Sequence, residues 1–511
     1  MGSFLVELVL AGATAITAPA ATLTAAAMGE VSAPSAESST LTSTIDRILD
    51  HKRLKDATIS VVVTDVATGE VLYSRNPDSA VNPASNIKLV TTAAALSLLG
   101  PEHRFLTRLF TTKGARRGDT IDGDLYLKGG GDPWLVTGDL YELAGRLHAL
   151  GIRTIKGGII IDSTAFDQDE LPPAFDQKDE FASYRAMSSA SAVNFNTFVV
   201  HVRPGSAVGE TAKAALDPAL PSIAVTSTIT TEAGSRNQVT VERELKDGRL
   251  SLSFAGTIGV DANVAHYRYP VADPTTNAGD VLALVLKERG IKVGKRTVKA
   301  GALPRAPEAL ATHASQPLST LIRGVNKLSN NFMAEQILKT LDLSDDHPAT
   351  FDGGLAKVRA HLQSLGIPSE GLRLTNGSGL YDANRITAAQ LTKLLVATYN
   401  DFRISADFLA SLPISGADGT MRRRLRESAA TRYVRAKTGT LNESSALSGY
   451  AGAVGKPPLA FSILIGDITR GKTRLARSVQ NEIAEHLAAV AASGSRGAIE
   501  APAPSAEADP R

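Results

Sequence analysis

Pro83-Ala84-Ser85-Asn86-Ile87-Lys88 runs directly into Leu89-Val90-Thr91-Thr92-Ala93-Ala94-Ala95-Leu96. The stretch reads as the start of an apolar helix that stops at Gly100-Pro101. Ser85 and Lys88 are three residues apart, just under one helical turn, so their side chains share a face. A serine hydroxyl attacks only when a base takes its proton, and a lysine can be that base once burial or a nearby charge lowers its pKa. The same spacing also fits a helix cap followed by a solvated lysine. Partners elsewhere in the chain have to decide between the two.

Upstream of this stretch, Thr58 to Val66 is β-branched and apolar, Ala67-Thr68-Gly69 turns it, and Glu70 to Tyr73 runs back as a hairpin. Further back, Leu8 to Ala27 is apolar and alanine-rich with small-residue cleavage sites, although no Lys or Arg precedes it. Residues 1–30 are expected to be a signal peptide or anchor, and 31–44 a polar linker. Downstream, the texture changes at about Leu106 to short strands and glycine turns, with helices expected over Asp139–Leu150 and Ala278–Arg289. Lys128-Gly-Gly-Gly-Asp-Pro133 reads as a structural turn, because no phosphate-loop spacing follows it. Helices are expected again over 318–343, 351–365 and 387–400, with strands at 433–437, 445–454 and 459–466. A closing helix is expected over 472–492, followed by an Ala/Pro-rich tail, 493–511, expected to be disordered. Strands near both ends of the chain can therefore join one antiparallel sheet.

Composition excludes several chemistries. At 511 residues the chain calls for two or three domains. Lys+Arg 54 against Asp+Glu 52 leaves a net charge of +2, with no long basic run and no basic-aromatic interleaving, so nucleic acid is not an expected partner. Cysteine is absent, which removes disulfides, thiolate nucleophiles and Cys-ligated zinc. No two of the nine histidines have the i, i+4 spacing of a metal clamp, and no Gly-x-Ser-x-Gly elbow occurs. No metal or organic cofactor is expected.

Two more polar clusters accompany Ser85-x-x-Lys88: Ser329-Asn330-Asn331, inside a helix or at a break, and Lys437-Thr438-Gly439-Thr440, at the end of a strand. Each alone fits a kink or a turn, but together and in this order they resemble the penicillin-binding and serine β-lactamase superfamily, with its Ser-x-x-Lys, Ser-x-Asn and Lys-Thr-Gly motifs. The 244 residues from Ser85 to Ser329 leave room for one or two extra domains. That gap resembles the class C low-molecular-mass penicillin-binding proteins, the D-alanyl-D-alanine carboxypeptidase/endopeptidase family. Val193-Asn-Phe-Asn196, Asn326-Lys-Leu-Ser-Asn-Asn331 with Ala334-Glu335, Asn376-Gly-Ser-Gly-Leu380 and Ala446-Leu-Ser-Gly-Tyr450 agree with it.

The resemblance implies a transpeptidase/β-lactamase-like α/β fold, an antiparallel sheet between helices, built from 45–106 and 305–490. Residues 107–304 are expected to be inserted, mostly β, with one domain nested in the other. It also implies Ser85 as nucleophile, Lys88 as base with Lys437 lowering its pKa, Ser329 relaying the proton and Asn331 holding the substrate amide. Lys437, Thr438 and Thr440 resemble the groups that take the terminal carboxylate, with Gly439 in the strand that pairs with the peptide. The implied reaction is hydrolysis of D-Ala-D-Ala stem peptides in peptidoglycan through an acyl-enzyme, with β-lactams as covalent inhibitors. The implied location is outside the membrane, in the periplasm or cell-wall space. Relatives often read Asp-Gly-Ser-Gly-Leu-Ser-Arg where this chain reads Asn376-Gly-Ser-Gly-Leu-Tyr381-Asp382, so Asp382 is expected to alter preference for the third stem residue towards a free amine or an amidated group. The competing readings are a β-lactamase or esterase of the same superfamily and a non-catalytic wall-binding or sensor protein.

Overall fold

The computed structural model describes residues 36–50, 54–295 and 297–493. The expected signal or anchor and all but the first residue of the expected tail lie outside these residues. Part of the expected linker is helical: Ala36–Leu49 forms a helix whose Leu41, Ile45 and Leu49 are buried at i, i+4 spacing. Its short polar residues suggested a linker, but the apolar stripe decides its structure.

Strands from both ends of the chain form one antiparallel sheet. Its order is Val434–Leu441, Ser444–Ala453, Lys456–Gly466, Thr58–Asp65 and Val71–Arg75. Val61 lies opposite Ile463, and Val63 opposite Phe461. Alternate residues of Thr58–Asp65 point to opposite faces, so Val62 packs on one side with the Ile87–Leu99 helix while Val61 and Val63 pack on the other. That second side is covered by Ala36–Leu49 and Thr473–Ser493. Because both faces are covered, the strand reads as a continuous apolar run.

Ile87–Leu99 lies at the centre of the first side. Residues 87–96 are all buried, including Lys88, and the helix ends at Gly100 with φ +85. It packs against Leu318–Lys327 and Asn331–Thr340. The helix expected over 318–343 is thus two helices, and Ser329 sits in the break with φ +57, a left-handed backbone rarely adopted outside glycine.

The inserted body departs from expectation at its far end. Pro307–Ala314 pairs antiparallel with Leu106–Thr112, so the inserted sheet closes at 314 rather than at 304. Its five strands run in the order Val298–Ala300, Ile159–Asp162, Leu125–Lys128, Leu106–Thr112 and Pro307–Ala314. The helices Thr137–Ala149 and Pro274–Glu288 pack into the same core, so this part is mixed α/β rather than mostly β. Further three- and four-stranded sheets lie between Thr197 and Pro270, and one hydrophobic core runs through both parts. At the triple glycine, a Cβ on Gly129 would lie 2.0 Å from the Ala190 carbonyl oxygen, which is a packing requirement. The body docks on the Asn331–Thr340 helix, where Gln336 Nε2 donates to Ser189 O at 2.6 Å and Lys339 pairs with Asp167.

Candidate active site

Ser85 occupies a 3-10 turn, Ala84–Asn86, immediately before the central helix. Asn82 Oδ1 accepts from Ala84 N at 2.9 Å, and Asn86 Nδ2 donates to Ser448 Oγ at 2.8 Å, tying the turn to the sheet. Neither Pro83 nor Asn86 caps the helix through its side chain. Ser85 Oγ instead accepts from Lys88 Nζ at 3.2 Å.

Lys88 is 0% exposed, which rules out the solvated-lysine reading. Its Nζ also donates to Asn331 Oδ1 at 2.8 Å and Ser378 O at 2.6 Å, so three acceptors surround a group with three donors when charged. Burial pushes its pKa down to about 7, while the Glu335 carboxylate pulls the other way. The amine is therefore poised between charged and neutral forms near neutral pH.

The second and third clusters converge on the same place. Lys437 Nζ donates to Ser329 Oγ at 2.9 Å and to Thr438 O at 2.7 Å. Lys437 is buried, and burial followed by the charge of Lys88 holds it well below its usual pKa. Burial is the leading cause for both lysines, and the repulsion between their charges acts on each of them. Asn330 Oδ1 caps the following helix by accepting from Met333 N at 3.1 Å, which leaves Asn331 to face Lys88. Asn331 Nδ2 donates to Tyr184 O of the inserted body at 3.1 Å. Val434–Leu441, which carries Lys437 to Thr440, is an edge strand and can accept an added peptide strand. A Cβ on Gly439 would come within 2.6 Å of Pro83 O, so glycine lets this strand lie against the Ser85 turn.

Glu335 was quoted as a landmark in the sequence, but no role was assigned to it. It is fully buried, four residues beyond Asn331, and burial raises its pKa. Its carboxylate accepts from Gly377 N at 3.0 Å and Ser378 N at 2.8 Å. It thereby fixes the loop whose Ser378 carbonyl holds Lys88. The i, i+4 spacing from Asn331 was the available signal.

Beside this cluster lies a cleft of about 870 Å³, walled by Tyr381, Asp382, Arg385 and Thr440 and, from the inserted body, by Lys178 and Glu180. Asp382 pairs with Arg385 Nη1 at 2.5 Å and accepts from Asn82 Nδ2 at 3.2 Å. Arg385 holds its carboxyl below the usual range. The expected acid is in the cleft, but it brings a cation of its own.

Sequence comparison defines the class, a D-Ala-D-Ala carboxypeptidase. A D-alanyl-D-alanine carboxypeptidase from an Actinomadura species is 38% identical over 465 residues, covering 87% of this chain and 84% of that protein. The D-alanyl-D-alanine carboxypeptidase DacB of Haemophilus influenzae is 24% identical, covering 85% of this chain and 91% of that protein. The crystal structure of penicillin binding protein 4 (dacB) from Haemophilus influenzae superimposes with a TM-score of 0.70 at 24% identity, over 86% of this chain and 97% of that one, which establishes the fold. Residues 41–490 match the D-Ala-D-Ala carboxypeptidase 3 (S13) family, and the chain belongs to it. It is a serine-type carboxypeptidase of peptidoglycan peptides.

Proposed function

We propose that Ser85 is the nucleophile of this carboxypeptidase and that Lys88, in its neutral form, takes the Ser85 proton. The carrying observation is a lysine with no solvent exposure held 3.2 Å from Ser85 Oγ. Attack on the D-Ala-D-Ala carbonyl forms an ester to Ser85. Ser329, bonded to Lys437, passes a proton to the leaving amine, and water then hydrolyses the ester. General-base help of this kind contributes about 10²–10⁴ in rate. The N–H groups of Ser85 and Thr440 are assigned to the oxyanion, each worth about 10²–10³. Asn331 holds the substrate amide, and Lys437, Thr438 and Thr440 take the terminal carboxylate. Gly439 keeps the pairing strand close to Ser85.

The domain reading that accompanies this mechanism assigns the chemistry to the body holding the five-stranded sheet, and one wall of the cleft to the insertion. The substrate lies outside the cell membrane, so the protein acts in the periplasm or cell-wall space. Among the described residues no helix is long and apolar enough to cross a membrane. Asp382, with Arg385, is assigned the preference for the third stem residue. Peptides with and without a free side-chain carboxylate at that residue test it, and equal kcat/KM for the two would sink the assignment.

The experiment for the main reading follows D-Ala release from a pentapeptide ending in D-Ala-D-Ala, together with the lifetime of the penicillin adduct. Release of D-Ala with a long-lived adduct is expected. Rapid penicillin turnover without D-Ala release would make the protein a β-lactamase instead.

A further inference from the structure

Behind the Thr438–Thr440 strand lies a second groove, of about 560 Å³, and its charge is one-sided. Arg423 and Arg424 line it from the loop before the edge strand, and Arg474 and Arg477 from the closing helix. Thr438 and Thr440 form its inner wall, and among the described residues no carboxylate lines it. The cleft on the other side of Thr440 mixes both signs, with Glu180, Asp382, Glu443 and Asp467 beside its cations.

The groove is held in place by neutral groups. Arg424 Nε donates to Asn481 Oδ1 at 2.8 Å, and Arg424 Nη2 to Gln480 Oε1 at 3.3 Å. Arg477 Nη2 donates to Thr440 Oγ1 at 3.4 Å. Burial and the charge of Arg477 push the Arg424 pKa down to about 10, so like charges are crowded together here. The acids that flank its lining residues in sequence have partners of their own: Asp418 pairs with Lys327, Glu427 with Arg426, and Glu482 accepts from Ser478 Oγ at 3.3 Å. Four guanidinium groups facing a common space without an acid make a site for an anion.

Position identifies the anion. On the reading that Thr438 and Thr440 take the carboxylate of the leaving residue, the groove that these threonines also line adjoins that residue, and a long group on its α-carbon can reach the arginines. Free D-alanine carries only a methyl group there, far too little to reach four arginines. We propose that this groove is a leaving-side subsite, which binds a carboxylate-bearing peptide when the amine to be released belongs to a second, cross-linked wall stem. The chemistry is unchanged: the carbonyl–nitrogen bond to that amine breaks, the amine takes the proton, and water completes hydrolysis of the ester. The arginines thus set how well the enzyme opens cross-links relative to trimming single stems. This inference rests on the Ser85 reading.

The test uses the full chain with a monomeric pentapeptide, a cross-linked peptide dimer, and the same dimer with only the acceptor-stem carboxylates beyond the leaving residue amidated. Arg423 and Arg474 are exposed, so Arg423→Gln with Arg474→Gln is the variant to make. Its kcat/KM on the dimer is expected to fall by about tenfold, chiefly through KM, while D-Ala release from the monomer stays within about twofold. Amidation should cost the wild type a comparable factor and the double variant less, because two of the four arginines are already gone. Added salt should weaken the wild type on the dimer alone. An equal loss on both substrates, no loss on the dimer, or a wild type that leaves the dimer intact overturns the subsite while leaving the Ser85 reading standing. A wild type that releases no D-Ala and takes no penicillin overturns both.

Discussion

The inserted body, Leu106–Ala314, and the body around Ser85 bury charge for different ends. In the inserted body the buried carboxylates serve turns. Asp162 accepts from Thr164 N at 3.0 Å and Leu303 N at 2.8 Å, and Asp132 from Trp134 N at 2.8 Å. Its other buried polar side chains are neutral, among them Thr107, Asn196 and Asn277. Around Ser85, three ionisable groups are fully buried: Lys88 and Lys437 in the cluster, and Glu335 under the loop whose Ser378 carbonyl holds Lys88. Burying such groups is costly, and the cost shows as displaced pKa values. Left-handed backbones occur in both bodies, at Ala84, Ser329 and Tyr381 beside the site and at Ala174 and Asn194 to Asn196 in the insertion. The contrast separates two kinds of importance, with residues of the inserted core holding the molecule together and, on the proposed mechanism, those of the cluster carrying out its chemistry.

The largest effect that could break this contrast belongs to Ser85. Ser85→Ala should lower kcat for D-Ala release by about 10³-fold or more with an unchanged melting temperature. A residual rate close to wild type would move the chemistry elsewhere. Next comes Lys88→Gln, for which a loss of about 10²–10⁴ in kcat is expected. In the wild type, Lys88 accepts a proton only when neutral, and its pKa is about 7. The rate should therefore rise as pH climbs through about 7 and then level off, and a flat profile there contradicts the assignment of the base.

Glu335→Gln should cost about tenfold in kcat/KM, since it touches the loop rather than the substrate. Its carboxylate favours charged Lys88, so the variant's pH midpoint should move to lower pH. A purely structural role would leave the midpoint in place. The smallest effect on activity is expected from Leu282→Ala in the inserted core, where the side chain is 0% exposed. It should cost about 2–5 kcal/mol of stability while kcat/KM, measured below the unfolding transition, stays within about twofold. A large loss of kcat at full stability would show that the insertion acts on the chemistry directly.

The parts legible in the sequence were those with local causes. The hairpin at 58–75 follows its β-branched run and its turn, and the helix expected from 387 starts there, with Thr387 capping it in a box with Gln390. The three motifs could be named without coordinates, and the structure brings Ser85, Lys88, Ser329, Asn331 and Lys437 together. What could not be read depends on distant partners. Pro307–Ala314 has few β-branched residues and becomes a strand by pairing with Leu106–Thr112, so the end of the insertion was placed early. Arg385 is three residues past Asp382, and only the folded turn puts it on that carboxylate. The short run Arg422-Arg423-Arg424 carried no meaning until the closing helix set Arg474 and Arg477 opposite it.

The central claim is that Ser85 is the atom acylated and Lys88 the group that activates it. Treating the wild type, Ser85→Ala and Lys88→Gln proteins with penicillin and mapping the adduct by peptide mass spectrometry tests both at once. The account predicts one adduct, on the peptide containing Ser85, formed far more slowly in Lys88→Gln and absent from Ser85→Ala. An adduct of the same mass persisting in Ser85→Ala, or acylation of Lys88→Gln at the wild-type rate, would contradict it.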